Sequence, residues 1–246
     1  MKKPIITVRD VSVGWTPKNV LIEHVNFDVM PGEVFAILGG SGCGKSTLLR
    51  HLIGLNDALA GEIDIAGVGA PSMRVGRPGF GVMFQAGALF GSQTVIENVA
   101  LPLVEWTSLP VEAIDVMARA KLRLVGLEGA EDKMPSELSG GMKKRAAIAR
   151  ALALEPPLIF LDEPSAGLDP ITSAELDELI LTLARVVGIT VVIVTHELAS
   201  IFAVVDRCIL LDKKSKSIIA EGSPAELAES DDKRVTDFFQ RKTKAA

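Results

Sequence analysis

A glycine-rich stretch at residues 39–47 carries a lysine and two adjacent hydroxyls directly after the apolar run 34–38. Its members are Gly39, Gly40, Ser41, Gly42, Cys43, Gly44, Lys45, Ser46 and Thr47. This spacing, between a predicted strand and a predicted helix, is the phosphate-binding loop pattern. The glycines let successive backbone N–H groups surround phosphates, Lys45 would place positive charge on the terminal phosphates, and Ser46 could ligate Mg²⁺. Because the following helix adds its positive dipole end, the stretch predicts binding of a nucleoside triphosphate. The alternative is a flexible glycine turn that contains a lysine.

Two acids end a second apolar strand, where Asp162 and Glu163 follow the run 158–161. Because burial of unpaired charge is costly, paired carboxylates at this place indicate a role in chemistry. Asp162 could hold Mg²⁺ through water, and Glu163 could act as a general base that polarises an attacking water. The alternative is a solvated strand end.

A third stretch, Leu138-Ser139-Gly140-Gly141-Met142, precedes Asp162 closely and opens a predicted helix over 140–154. Ser139 is expected to be the N-cap, and the hydroxyl and two glycines predict a second anion-binding helix start. One phosphate site needs only one such cradle, so the second indicates use by another subunit.

The elements that position these residues follow from apolar periodicity. Strands are predicted at 5–8, 20–29, 34–38, 61–65, 80–84, 158–161 and 190–194, and helices at 46–54, 111–125, 140–154 and 171–187. Their alternation predicts an α/β fold with a mostly parallel sheet covered on both faces. The helical block at about 93–155 interrupts that rhythm and is expected to be an inserted subdomain. A helix and a fraying tail are expected over about 224–246.

Bulk properties limit the function classes. The chain has 246 residues and a net charge of −5, so a broad basic surface for nucleic acid is not expected. Cys43 and Cys208 lie far apart and outside any metal-ligand spacing, which favours reduced thiols in a cytosolic protein. The start lacks the apolar region of a signal peptide, and no stretch approaches the length of a membrane span. We therefore expect a soluble chain whose membrane contact runs through a partner.

Together these stretches resemble the ATP-binding cassette (ABC) family over about residues 5–225, with its motifs in family order. Residues 138–142 resemble the family signature, and Gln85 matches the glutamine that senses Mg²⁺ and couples to the transport subunit. Residues 165–169 resemble the dimer-contact loop, and His196 matches the switch histidine at the γ-phosphate. The resemblance implies one P-loop NTPase domain over 1–246 with N-terminal antiparallel strands, and ATP and Mg²⁺ as ligands.

The same resemblance implies a homodimer in which two cassettes sandwich two ATP molecules. The loop 39–47 of one chain would face Ser139, Gly140 and Gly141 of the other. Adenine usually stacks on a tyrosine in this family, but the chain has none. Trp15 is the best-placed substitute, and its alternative role is packing at a strand end. Met142 replaces the glutamine that many relatives carry, and it is expected to adjust the sandwich without removing it.

A narrower resemblance concerns the residues 82–90, 98–103 and 138–145, which are similar to the ATPases of Mla-type phospholipid-trafficking transporters associated with Mce proteins. It implies an integral-membrane permease, an Mce-domain lipid-binding protein and a STAS-like small subunit, at the cytoplasmic face of the inner membrane. Leu89 and Phe90 would contact a coupling helix of the permease, or else lie in the core. Residues 143–145 are expected to form a solvated helix face. The alternatives are the ATPase of another ABC solute transporter and a non-transport ABC ATPase that acts as an assembly scaffold.

Overall fold

The computed structural model describes residues 3–16, 18–66, 69–72, 76 and 79–240. The chain divides into two compact units. The first combines Met1–Gly76 with Thr190–Ala246, and the second is Arg77–Ile189.

Regular elements follow the chain in this order. The strands are β1 Ile6–Thr16, β2 Asn19–Val29, β3 Val34–Gly39, β4 Ala60–Ile65, β5 Gly81–Met83, β6 Leu158–Asp162, β7 Thr190–Val194, β8 Arg207–Asp212 and β9 Ser217–Gly222. The α-helices are α1 Lys45–Leu52, α2 Val95–Trp106, α3 Val111–Leu124, α4 Gly140–Ala151, α5 Pro170–Thr182, α6 Leu198–Val204, α7 Pro224–Ala228 and α8 Lys233–Gln240. A 3₁₀ turn covers Pro135–Glu137, and a π-helical segment, Leu183–Val187, extends α5.

The first unit contains an antiparallel sheet and a mostly parallel one. The antiparallel strands have the order β2-β1-β4, and β7, β3 and β8 are parallel neighbours with β9 antiparallel to β8. All six residues of β3 are buried, as expected for a strand covered on both faces. Helices α6, α7 and α8 cover one side, where Ile201, Val235 and Phe239 join Leu38 and Leu210 in one apolar cluster. This core fixes the end of β3, from which the glycine-rich loop starts.

Strand β1 is longer than its predicted span 5–8 because a bulge divides its apolar pattern. Asp10 and His24, on β1 and β2, both have positive φ, and the pairing register shifts between Val8 and Val11. The bulge exposes Arg9 and Asp10 in mid-strand, which resembles a turn when only sequence is available.

The second unit consists of two parallel strands and a block of helices. Val82 in β5 pairs with Phe160 in β6. Helix α2 begins at a capping box between Thr94 and Glu97, and α5 begins at the N-cap Asp169. These observations confirm the α/β class with N-terminal antiparallel strands and a helical region. The single domain 1–246 and the subdomain limits 93–155 stay predictions, and the C-terminal segment 224–246 is described only as far as Gln240.

Across the described ranges, none of the helices has both the length and the apolar character that a bilayer crossing requires.

Candidate nucleotide-binding site

The glycine-rich loop connects the buried strand β3 to the start of α1, as the sequence predicts. Gly44 is the N-cap of α1 with φ 105°, and a glycine offers no side chain to the free N–H groups of the first turn. That turn also contains no acidic residue. Its positive end is therefore available to an external anion such as a phosphate.

Glycine is required at two points of this loop by both backbone angle and space. Gly39 has φ 151°, and a Cβ there would lie 2.5 Å from Cys43 Sγ and 2.7 Å from the carbonyl oxygen of Leu211. A Cβ on Gly44 would lie 2.9 Å from Ile22 Cδ1. A larger residue at either point would displace the loop from its supports.

The polar groups of the loop have distinct surroundings. Lys45 Nζ donates to the carbonyl oxygens of Gly39, at 2.9 Å, and Gly40, at 3.3 Å, so the side chain lies along the loop. Cys43 is buried, and burial raises the pKa of its thiol, so this group adds no negative charge near the phosphates. Thr47 is half-buried. Four other members of the loop are exposed, namely Gly40, Ser41, Gly42 and Ser46.

Trp15 and His196 belong to the same unit as the loop. Trp15 lies near the end of β1 and its side chain is 58% exposed. Its strand pairs with β2, whose Ile22 flanks Gly44. His196 is exposed just after β7, with Nε2 3.8 Å from Glu197 Oε1.

In the second unit, Gln85 lies two residues after β5, Asp162 is the last residue of β6, and Glu163 follows it. Met83 of β5 pairs with Leu161 of β6, so the carboxyl ends of both strands meet at the same edge. Glu163 is buried, and its backbone is left-handed with φ 48°. For a non-glycine residue this conformation costs about 1–3 kcal/mol and persists only where neighbouring groups hold it.

One such neighbour is Lys144, for which the predicted solvated helix face is wrong. Lys144 is only 7% exposed, and its Nζ donates to the carbonyl oxygens of Gln85 and, at 3.1 Å, Glu163. Burial lowers the pKa of Lys144, whereas the charges of Asp162 and Glu163 oppose that shift. The sequence contains a signal for this burial, because position 144 lies three and four residues before the apolar Ala147 and Ile148, on the same face of the predicted helix. The basic run hides that signal.

The signature residues divide between surface and core. Ser139 is the N-cap of α4, as predicted, and its Oγ accepts a hydrogen bond from the backbone N–H of Met142 at 3.3 Å. Ser139 and Gly140 are exposed, whereas Gly141 is buried and a Cβ there would lie 2.4 Å from Thr172 Cγ2. Thus Ser139 and Gly140 are available to another molecule, and Gly141 permits close packing with α5.

Residues 85–93 form a loop, which we name the docking loop after the permease contact that the sequence resemblance implies for Leu89 and Phe90. Phe90 is 52% exposed and Leu89 is half-buried, so neither is a core residue. Arg150 of α4 donates to the carbonyl oxygens of Gly87, at 2.8 Å, and Ala88, at 2.7 Å. The buried side chain of Asn98 holds the backbone of Phe90 through both its N–H and its carbonyl oxygen. The loop therefore presents Phe90 from a firmly bonded backbone.

A phosphate-binding loop after one buried strand and an acid pair at the end of another define the class of P-loop proteins that bind nucleoside triphosphates. The ABC transporter family matches residues 22–166, and the chain belongs to that family. Over 242 residues it is 43% identical to the intermembrane phospholipid transport system ATP-binding protein MlaF of Escherichia coli K12, covering 96% of this chain and 88% of the relative. It is also 42% identical over 222 residues to the probable ribonucleotide transport ATP-binding protein mkl of Mycobacterium leprae, covering 88% of this chain and 63% of the relative.

Solved structures agree with this family. CbiO1 of Clostridium perfringens, part of the ABC transporter complex CbiONQ, has a TM-score of 0.82 and 31% identity, covering 93% of this chain and 92% of that chain. The ATP-binding cassette MJ0796, in a dimeric post-hydrolysis state with ADP and Pi, has a TM-score of 0.77 and 29% identity, covering 89% of this chain and 98% of that chain. The protein is thus an ATP-binding, ATP-hydrolysing cassette of an ABC transporter. Cassettes of this family dimerise and pair with transmembrane permease subunits.

Proposed function

We propose that this cassette energises phospholipid trafficking between inner and outer membranes, together with a separate permease and an Mce-domain lipid-binding protein. The observation that carries the proposal is its similarity, over nearly the whole chain, to a protein named for intermembrane phospholipid transport. A STAS-like small subunit would complete the complex. The cassette would then lie at the cytoplasmic face of the inner membrane, held there by the permease.

For the nucleotide site, we propose that loop 39–47 binds the phosphates of ATP and that Lys45 neutralises the terminal ones. Two observations support this role: no side chain caps the start of α1, and the glycine-rich surface of the loop is open beside Gly40. Mg²⁺ would be held by Ser46, Gln85 and Asp162, whose hydroxyl, amide and carboxylate oxygens are the donors that this hard cation prefers. The ion would neutralise charge on the β- and γ-phosphates.

Hydrolysis in this proposal depends on Glu163 as general base and His196 as a contact of the γ-phosphate. The carboxylate of Glu163 orients a water and accepts its proton as the oxygen bonds to the γ-phosphorus. The bond from that phosphorus to the bridging oxygen breaks, and ADP and phosphate leave. The left-handed backbone of the buried Glu163 supports this role, because strained residues cluster at functional sites.

The proposal also includes a homodimer. Ser139, Gly140 and Gly141 of one chain would complete the ATP site of the other, and the exposure of Ser139 and Gly140 agrees with contact to another chain. Trp15 would stack on adenine, for which its exposed ring is suited.

Another solute is the second candidate cargo, since the mycobacterial relative is named for ribonucleotide transport. A non-transport scaffold role is the third. These three candidate functions can be distinguished by purifying a tagged chain from detergent-solubilised membranes and identifying the bound proteins and lipids by mass spectrometry.

Recovery of a permease, an Mce-domain protein and bound phospholipid is the expected result. A permease with a solute-binding protein instead would favour the second candidate, and no permease at all would refute transport. Phe90→Asp should lose the permease and stay folded, whereas Val186→Asp, at an 80% exposed position of the π-helical segment, should retain it.

A further inference from the structure

Lys144 joins two proposed functional segments that lie far apart in sequence. Its Nζ donates to the carbonyl oxygen of Gln85, where the docking loop begins, and to that of Glu163, just after β6. The lysine itself is in α4, five residues after the exposed N-cap Ser139. One buried amino group thus fixes the main chain of two proposed site residues to one helix.

The bond to Glu163 has a conformational consequence. Because the backbone of Glu163 is left-handed, removal of the donor would permit it to relax toward the ordinary regions of φ and ψ. Such a relaxation would rotate the side chain and move its carboxylate. A misplacement of about 1 Å at a reacting centre can lower the rate about 10²-fold.

The same helix holds the docking loop at a second point. Arg150, six residues after Lys144, donates to the carbonyl oxygens of Gly87 and Ala88. The loop and α4 are therefore bonded at both ends of the segment 85–88.

We propose that Lys144 is a positioning residue for ATP hydrolysis, which holds the main chain of Glu163 and thereby sets the position of the Glu163 carboxylate. The inference rests on the proposed role of Glu163 as the general base. It assigns to Lys144 no contact with nucleotide.

The test compares Lys144→Met with Lys143→Met, which removes the neighbouring, half-buried lysine. Lys144→Met should lower kcat about 10²-fold while the Kd for ATP, measured by calorimetry, stays within about twofold of the original. It should also accumulate an ATP-dependent dimer in size-exclusion chromatography, because binding continues while hydrolysis is slow. Lys143→Met should behave as the unmodified chain. Unchanged turnover of Lys144→Met, or a loss of ATP affinity in parallel with kcat, would overturn the proposal.

A double-mutant cycle separates this inference from the proposed function. If Lys144 acts through Glu163, Lys144→Met should add no further loss of single-turnover rate to Glu163→Gln. An equal loss in both backgrounds would refute the positioning role and leave Glu163 as the base. Normal turnover of Glu163→Gln itself would refute the base instead. If the melting temperature shows that methionine prevents folding, Lys144→Ala, which removes the same donor without placing a long apolar side chain there, takes its place in the same cycle.

Discussion

The docking loop depends on Asn98, and the substitution Asn98→Leu tests that dependence. The Asn98 side chain is fully buried at the start of α2. Its Oδ1 accepts from the Phe90 N–H at 2.7 Å, and its Nδ2 lies 3.1 Å from the Phe90 carbonyl oxygen, 3.2 Å from that of Gln93 and 2.9 Å from that of Thr94. Leucine has a similar size but can make none of these bonds.

The magnitude follows from the groups that would lose their partner. In this variant the Thr94 carbonyl oxygen still accepts a hydrogen bond from the backbone N–H of residue 98. The Phe90 carbonyl oxygen still accepts one from the backbone N–H of Gln93. The Phe90 N–H and the Gln93 carbonyl oxygen lose the bonds described, and each unsatisfied buried group costs about 1–3 kcal/mol. Because water can reach this partly exposed loop, we expect the lower half of the summed range, about 2–4 kcal/mol. For a chain of this size that lowers Tm by about 4–16 °C.

Urea unfolding and thermal melting measure this loss, and Asn26→Leu is the matched control. Asn26 also bonds two backbone groups, the N–H of Asp10 and the carbonyl oxygen of His24, but its side chain is exposed. Water can replace those bonds, so this control should lose less than about 1 kcal/mol. A loss for Asn98→Leu no larger than that of the control would show that the amide does not hold the loop.

Three further substitutions test the nucleotide site. Lys45→Ala should lower ATP affinity about 10- to 100-fold in calorimetry, since a charge-assisted hydrogen bond contributes about 1.5–3 kcal/mol; unchanged affinity would remove the lysine from the phosphate site. Ser139→Arg should leave ATP binding by the monomer intact but stop hydrolysis, and a normal phosphate-release rate would exclude contact with a partner's nucleotide. Glu163→Gln should lower turnover about 10²–10⁴-fold and accumulate an ATP-dependent dimer in size-exclusion chromatography, whereas slow turnover without a dimer would contradict the sandwich.

Sequence reasoning succeeds where local chemistry determines structure. The loop 39–47 needs glycine at defined backbone angles, so its glycine spacing predicts both the turn and the helix after it, which is expected over 46–54 and observed over Lys45–Leu52. Ser139 is similar, because an N-cap acts on backbone groups only three residues away. Such features require no knowledge of distant partners.

The failures concern structure determined by distant parts of the chain. Strands β8 and β9 were not predicted, although β8 pairs with β3 and has four fully apolar, buried residues between its charged ends. That run is too short to distinguish a strand from a buried helical segment by periodicity. The prediction of a solvated Lys144 is wrong for a related reason. Lysine is rarely buried, and the two carbonyl groups that accept its hydrogen bonds lie 59 and 19 residues away in the sequence. Only the assembled unit shows why a cation belongs there.

Helix α4 carries two observed contacts, those of Lys144 and Arg150, and one proposed contact, that of Ser139. At an axial rise of about 1.5 Å per residue, Ser139 and Arg150 are separated by about 16 Å, with Lys144 between them. Ser139 would meet the nucleotide of the partner chain, Lys144 bonds the backbone of Gln85 and Glu163, and Arg150 bonds the docking loop. An α-helix of this length transmits displacement along its axis because its internal hydrogen bonds resist stretching. If a permease binds the docking loop as proposed, the hydrogen bonds of Arg150 and Lys144 would link that contact through α4 to Ser139 and to the backbone of Glu163, the proposed general base.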